Sequence, residues 1–236
     1  MIYAMSDIHG NDIAFFDMLK KINFTDDDIL IICGDVIDRG AGGLEILDYC
    51  MRHENIHLIK GNHEVYLETY LEYPPFSEDW KNWGGIPTMN ALKKKDRYTI
   101  LEYYNYVCAL PIYEIMEING VKYAFTHTGF LEDNKTVYIK SNVIDFEKTL
   151  KNLSQVKQYS YLISTDLYKL RKNISFDCVL IVGHIPTISE TFFKMPQPKI
   201  VDFGRFIDID CGAGYEDDGG VLGCLRIDDM QKFYIK

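Results

Sequence analysis

Short apolar runs alternating with amphipathic stretches dominate the first third of the chain. Residues Met1–Ser6, Ile29–Cys33 and Ile56–Ile59 are compact apolar segments bounded by polar ones, the pattern of strands buried on both faces. Between them, Ile13, Phe16, Leu19 and Ile22 recur at about helical spacing behind Asn11, a residue suited to cap a helix. Leu44, Leu47 and Met51 mark a second amphipathic helix, and a third is expected from Val65. This β-α-β-α-β-α order predicts a parallel sheet with crossover helices.

The pattern then changes. Residues 73–98 carry Pro74, Pro75, Trp80, Trp83 and Gly84-Gly85, which predicts loops and short helices folded over one face. Tyr113, Ile115 and Ile118 lead into Asn119-Gly120, and Val121, Tyr123 and Phe125 come next, a strong hairpin signal. Residues 143–171 are expected to be helical, Cys178–Val182 a buried strand, and the stretch from about residue 199 a set of strands with a turn at Asp228-Asp229. With no repeat and no linker, the expectation is one α/β domain over 1–236, with mixed sheets and helices outside.

Composition narrows the function classes. The net charge of -10 disfavours a nucleic-acid duplex or an anionic membrane as partner. A phosphate-bearing substrate would have to be attracted locally, by metals or a few cations. The six cysteines form no C-x-x-C pair, which leaves buried, reduced thiols as the expectation. No leader-like segment and no apolar run of membrane-spanning length is read, so the expected location is cytoplasmic.

The polar residues just after each apolar run carry the chemistry. Asp7-Ile8-His9-Gly10 succeeds the first strand, and Gly34-Asp35-Val36-Ile37-Asp38-Arg39-Gly40 the second. Gly61-Asn62-His63-Glu64 succeeds the third, His127 the hairpin, and Gly183-His184 the Cys178 strand. Ligands of open sheets bind outside the carboxyl ends of the strands, so these clusters should converge on one site. Asp, His and Asn supply the oxygen and imidazole donors that suit divalent manganese, iron or zinc. Singly, each has a plain structural reading, as a surface turn, a helix cap or a core histidine. As a set they do not, because four of the six histidines sit just after strands. His53 and His57 lie elsewhere and are read as structural.

The motifs D-x-H-G, G-D-x-x-D-R-G and G-N-H-E, in this order, resemble the calcineurin-like metallophosphoesterases. They are most similar to the phosphoprotein phosphatase branch, which includes serine/threonine phosphatases and symmetrical diadenosine tetraphosphatases. The resemblance covers nearly the whole chain and implies two mixed β-sheets packed as a sandwich flanked by helices. It also implies two divalent metal ions, manganese first, with iron or zinc as alternatives. Asp7, His9 and Asp35 would hold one ion, and Asp35, Asn62, His127 and His184 the other. Asn62 and Arg39 would contact the substrate, His63 would be the general acid, and Asp38 would orient it. The implied reaction is hydrolysis of a phosphate monoester by hydroxide bridging the ions. The substrate expected first is a phosphoserine or phosphothreonine protein, and the alternative is a symmetrical bis(5'-nucleosyl) tetraphosphate. A metal-binding scaffold without catalysis is disfavoured, since the whole residue set is present.

Some positions depart from the family pattern. Lys60 stands where arginine is common, keeping the charge and losing the fork. Arg171 is the only arginine between His127 and His184 and is therefore the candidate for a second phosphate-binding arginine. Asn82-Trp83-Gly84-Gly85 resembles a segment of the bacterial members and is expected at the site mouth. Asp208–Ala213 also resembles these relatives. Oligomeric state is not legible.

Overall fold

The structure, a computed structural model, describes residues 1–236. The three early apolar runs become adjacent parallel strands, β1 (Ile2–Met5), β2 (Ile29–Ile32) and β3 (Ile56–Leu58). They are joined by α1 (Asp12–Lys21) and α2 (Gly43–Arg52). The Asn11 side chain accepts from Ala14 N and caps α1. Beyond β3 run α3 (Asn62–Glu72), α4 (Ser77–Asn82), α5 (Ile86–Leu92) and α6 (Arg97–Ala109).

The hairpin is β4 (Tyr113–Ile118) and β5 (Val121–Thr126), turning at Asn119 and Gly120, both with positive φ. The later elements are β6 (Tyr138–Lys140), β7 (Val143–Ile144), α7 (Phe146–Lys151), α8 (Gln155–Leu162), α9 (Asp166–Lys169), β8 (Ser175–Phe176) and β9 (Val179–Val182). The chain ends in β10 (Val201–Asp202), β11 (Phe206–Asp208), β12 (Leu222–Arg226) and β13 (Gln231–Ile235).

Two five-stranded mixed sheets result, ordered β13-β12-β1-β2-β3 and β10-β11-β9-β5-β4. Alternation along the strands sorts their side chains to two faces. Ala4 and Ile31 from one sheet, with Phe125, Ile181 and Ile207 from the other, form the layer between the sheets. Met5, Leu30 and Ile32 pack outward under α1 and α2, while Ala124, Leu180 and Val182 pack with Phe146, Leu150 and Tyr161 of α7 and α8. Both sheets are therefore covered by helices on their outer faces, the sandwich that the motifs imply.

The parallel strands of the two sheets end on the same rim of the sandwich. His184 N donates to Asp7 Oδ2 at 2.9 Å, tying the loop after β9 to the loop after β1 across the sheets. This rim is where the ligand-bearing loops meet.

Two segments differ from expectation. Residues 143–171 are not one helical stretch. They open with β7, which pairs with β6 and β8 in a small third sheet, and break into α7, α8 and α9. Helix α3 begins at Asn62, three residues before the expected Val65, so Asn62 and His63 occupy its first turn. All six cysteines are free, five of them buried and Cys108 exposed. No helix is long and apolar enough to cross a membrane.

Candidate metal centre

The loops after β1, β2 and β9 bend sharply. Asp7, His9, Asp35, Asp38, Arg39 and His184 all hold φ between 49° and 73°, a region that side-chain-bearing residues seldom occupy. Such strain concentrates where function over-determines the backbone. Close packing enforces the turns. A Cβ on Gly183 would fall 1.8 Å from Ser6 Oγ and 2.2 Å from Asp7 Oδ2.

Asp35 is the hub. Its Oδ1 accepts from His63 N, in the first turn of α3, at 3.0 Å. Its Oδ2 lies 3.8 Å from His9 Nε2 and 3.4 Å from His127 Nε2. On one side, Asp7 Oδ1 is 3.9 Å from His9 Nε2. On the other, His127 Nε2 is 2.9 Å from Asn62 Oδ1 and 3.1 Å from His184 Nδ1. Two donor sets thus share a single carboxylate oxygen. Donors about 2.0–2.2 Å from one ion stand about 3–3.5 Å apart, close to these separations.

The imidazoles are set up as ligands. His127 Nδ1 donates to the Cys33 carbonyl at 2.8 Å and His9 Nδ1 to the Ile37 carbonyl at 3.2 Å, which leaves each Nε2 with a free lone pair. Burial holds His9 well below the usual imidazole range, and the neighbouring His63 and Arg39 charges add to this. Burial, then His127, does the same to His184. Both rings are therefore neutral near pH 7. Burial pushes the Asp35 carboxyl up, and Asp7 and Glu64 reinforce this against the opposing pull of His63. A cation between the carboxylates relieves that cost, so the donor set fits a pair of divalent ions.

His63 stands beside this set. Its Nδ1 donates to Asp38 Oδ2 at 2.6 Å, and its Nε2 lies 3.8 Å from Asp35 Oδ2. Asp38 is fully buried and also accepts from Trp80 Nε1 at 2.6 Å and Thr88 Oγ1 at 2.5 Å. Burial opposes a charge on His63, but Asp35 and Asp38 together outweigh it and raise its pKa. The short helices α4 and α5 therefore serve the site by holding Asp38.

Arg39 lies on the rim. Its N donates to Gly84 O at 2.9 Å, its guanidinium sits 4.2 Å from the Tyr215 ring centroid, and its buried Nη1 has no partner. A buried guanidinium nitrogen left unpaired at a metal-type centre is suited to an anionic oxygen. Arg39, Asn62, His63, Tyr66, Trp83 and Tyr215 line a cavity of about 420 Å³. A larger cavity, about 860 Å³, lies at the opposite end of the second sheet between Gly120, Lys172 and Arg205 and holds none of these groups.

Arg171 is not brought here. It is exposed, and its carbonyl accepts from Arg205 Nη1 at 2.7 Å beside the N-terminal end of β11, whereas the metal-type donors cluster at the C-terminal ends of the strands. The expectation that it is a second phosphate arginine is corrected on that geometry. Lys60 Nζ is held by Glu68 Oε2 at 2.8 Å and the Cys108 carbonyl at 3.3 Å, a structural cation. His53 stacks on Tyr49 with centroids 3.9 Å apart, and His57 Nδ1 pairs with Glu114 at 2.8 Å, both away from the site.

Two contributors have no role in the sequence reading, although Glu64 closes the G-N-H-E motif. Glu64 is completely buried and accepts from Asp35 N, Val36 N and Gly61 N at 2.8–3.0 Å, clasping the loop after β2 to the start of α3. Its position three residues after Gly61 is the acidic N3 position of a helix start, and that signal is present in the sequence. Ser6 Oγ donates to Asp7 Oδ2, which turns Oδ1 toward His9.

The model of the calcineurin-like phosphoesterases matches residues 1–210. The symmetrical bis(5'-nucleosyl)-tetraphosphatase of Neisseria meningitidis is 40% identical over 162 residues, 67% of this chain and 54% of that protein. The protein of the same description from Neisseria gonorrhoeae is 42% identical over 67 residues, 28% of this chain and 24% of its own. The chain thus spans between a quarter and about half of the length of these relatives. In fold, it is similar to a serine/threonine phosphatase from Saccharomyces cerevisiae, with TM-score 0.60, 17% identity and coverage of 99% of this chain and 78% of that one. It is also similar to a metallophosphoesterase from Sphaerobacter thermophilus, with TM-score 0.53, 15% identity and coverage of 100% and 87%. With a family model matched over most of its length, the chain belongs to the calcineurin-like phosphoesterases.

Proposed function

We propose that this chain is a metal-dependent phosphohydrolase acting on bis(5'-nucleosyl) tetraphosphates, adding one water across the central P–O–P bond to release two nucleoside diphosphates. The observation that carries the hydrolase reading is the single Asp35 oxygen shared by two donor sets, beside a braced His63 and an unpaired Arg39 nitrogen. The tetraphosphate substrate is supported by the description of the Neisseria relatives and by the aromatic rim of Tyr66, Trp83 and Tyr215.

Asp7, His9 and Asp35 would hold one divalent ion, and Asp35, Asn62, His127 and His184 the other. Manganese is the first expectation, since a mixed oxygen and imidazole set suits it as well as iron or zinc. When bound, such a pair supplies positive charge and an acidified water for in-line attack on phosphorus. The chain's own groups do the rest. The Arg39 guanidinium grips the phosphoryl oxygens with its rigid fork. Its face on Tyr215 keeps the guanidinium aimed. His63 delivers a proton from Nε2 to the leaving oxygen, while Asp38 on Nδ1 keeps that proton on the correct nitrogen.

One observation favours a phosphoserine or phosphothreonine substrate instead. A serine alkoxide needs a proton donor far more than a diphosphate does, and the His63–Asp38 pair is built as one. Turnover of diadenosine tetraphosphate and of a phosphothreonine peptide by manganese-loaded protein separates the readings. The proposal expects the dinucleotide to be preferred and split into two diphosphates. Preference for the peptide would move the chain to the protein phosphatases.

A further inference from the structure

Helix α3 carries more than a ligand and an acid. Tyr66 lies one turn beyond His63 and Asn62, on the same face. Its ring sits between the His63 and Trp83 rings, with centroids 5.1 and 4.7 Å away, and the residue is only 6% exposed. With Asn62, it lines the cavity beside Arg39 and His63. On that wall its phenol is a hydrogen-bond donor for a bound ligand. Trp83 lines the same cavity and is 43% exposed, with the Tyr66 and Phe76 rings packed against it at 4.7 and 5.9 Å.

This geometry places a phenol next to the general acid and a partly exposed indole beside it. The acid marks the side from which the leaving group departs. We propose that Tyr66 and Trp83 form the subsite for the leaving nucleoside diphosphate, Tyr66 donating to a phosphate oxygen and Trp83 stacking on the base. The inference rests on the phosphohydrolase reading above and deepens it by naming the half of the substrate that this wall recognises. A tyrosine here only for packing would serve as well as phenylalanine. A tyrosine in the subsite would not, because its hydroxyl meets the ligand.

Binding to manganese-loaded protein separates these cases without turnover. The probes are ADP, inorganic pyrophosphate and inorganic phosphate, titrated calorimetrically. Tyr66→Phe is expected to weaken ADP and pyrophosphate about tenfold and phosphate less than twofold. Trp83→Ala is expected to weaken ADP about tenfold and pyrophosphate less than twofold. Manganese stoichiometry and melting temperature of Tyr66→Phe report whether the fold and the ion sites survive. Equal weakening of all three probes, or no change in ADP affinity, would overturn the subsite. If ADP binding depends on both residues while diadenosine tetraphosphate is not hydrolysed, the subsite stands and the tetraphosphate reading falls.

Discussion

Replacing Asp38 with asparagine isolates what the buried carboxylate does for His63. Asp38 Oδ2 accepts from His63 Nδ1 and from Trp80 Nε1, both at 2.6 Å, while Oδ1 meets Thr88 Oγ1 at 2.5 Å. Asn can keep its oxygen toward the two ring donors and turn its NH2 to Thr88, whose hydroxyl can accept, so the side chain keeps its place. The substitution removes the charge from a hydrogen bond inside a dry site, worth about 1.5–3 kcal/mol. At constant geometry that corresponds to about 10- to 100-fold in turnover wherever the proton is needed. The pH effect has a definite sign. Burial opposes the His63 charge, and the raising by Asp35 and Asp38 keeps the ring protonated to higher pH. Without the Asp38 charge, His63 loses its proton at lower pH, so the falling alkaline limb for an alkyl phosphate moves to lower pH. The assay is a pH–rate profile of Asp38→Asn on an alkyl and an aryl phosphate. An aryl oxide leaves without a proton, so its rate should fall much less. An unmoved alkaline limb, or equal losses on both substrates, would refute the general-acid role of His63 and the orienting role of Asp38.

Two further outcomes are expected from buried and exposed charges. Glu64→Gln turns an NH2 toward at least one of three backbone donors, which should lower stability by about 2–3 kcal/mol, read as a shift in urea midpoint. Arg39→Ala should lower kcat/KM about 100-fold, whereas Arg171→Ala, remote from the site, should change it less than twofold. Comparable losses in both would restore Arg171 as a phosphate contact.

Much of this site was legible because its residues come directly after strands buried on both faces. Ala4, Met5, Ile31, Ile32 and Leu180–Val182 leave no polar position in the strand, so the first polar residues mark the strand end. The hairpin was legible because Asn119-Gly120 supplies the positive φ that a tight turn requires. The small third sheet was not. Tyr138–Lys140 is exposed along its length, so no burial stamps a period on it, and β7 is only two residues long. The start of α3 was misplaced because Asn62 and His63 look polar and loop-like, although tertiary packing buries both. Arg171 is marked in the sequence only by its place between His127 and His184. Distance along the chain does not tell which end of a strand a residue lies beside.

The proposed hydrolysis depends on one carboxylate, Asp35, serving two ions. Metal-free protein titrated with manganese, with bound ion counted by elemental analysis, tests it most directly. The expected result is two ions per chain in the wild type and neither held tightly by Asp35→Asn. A single ion per chain in the wild type, or two still tightly held by Asp35→Asn, would contradict it.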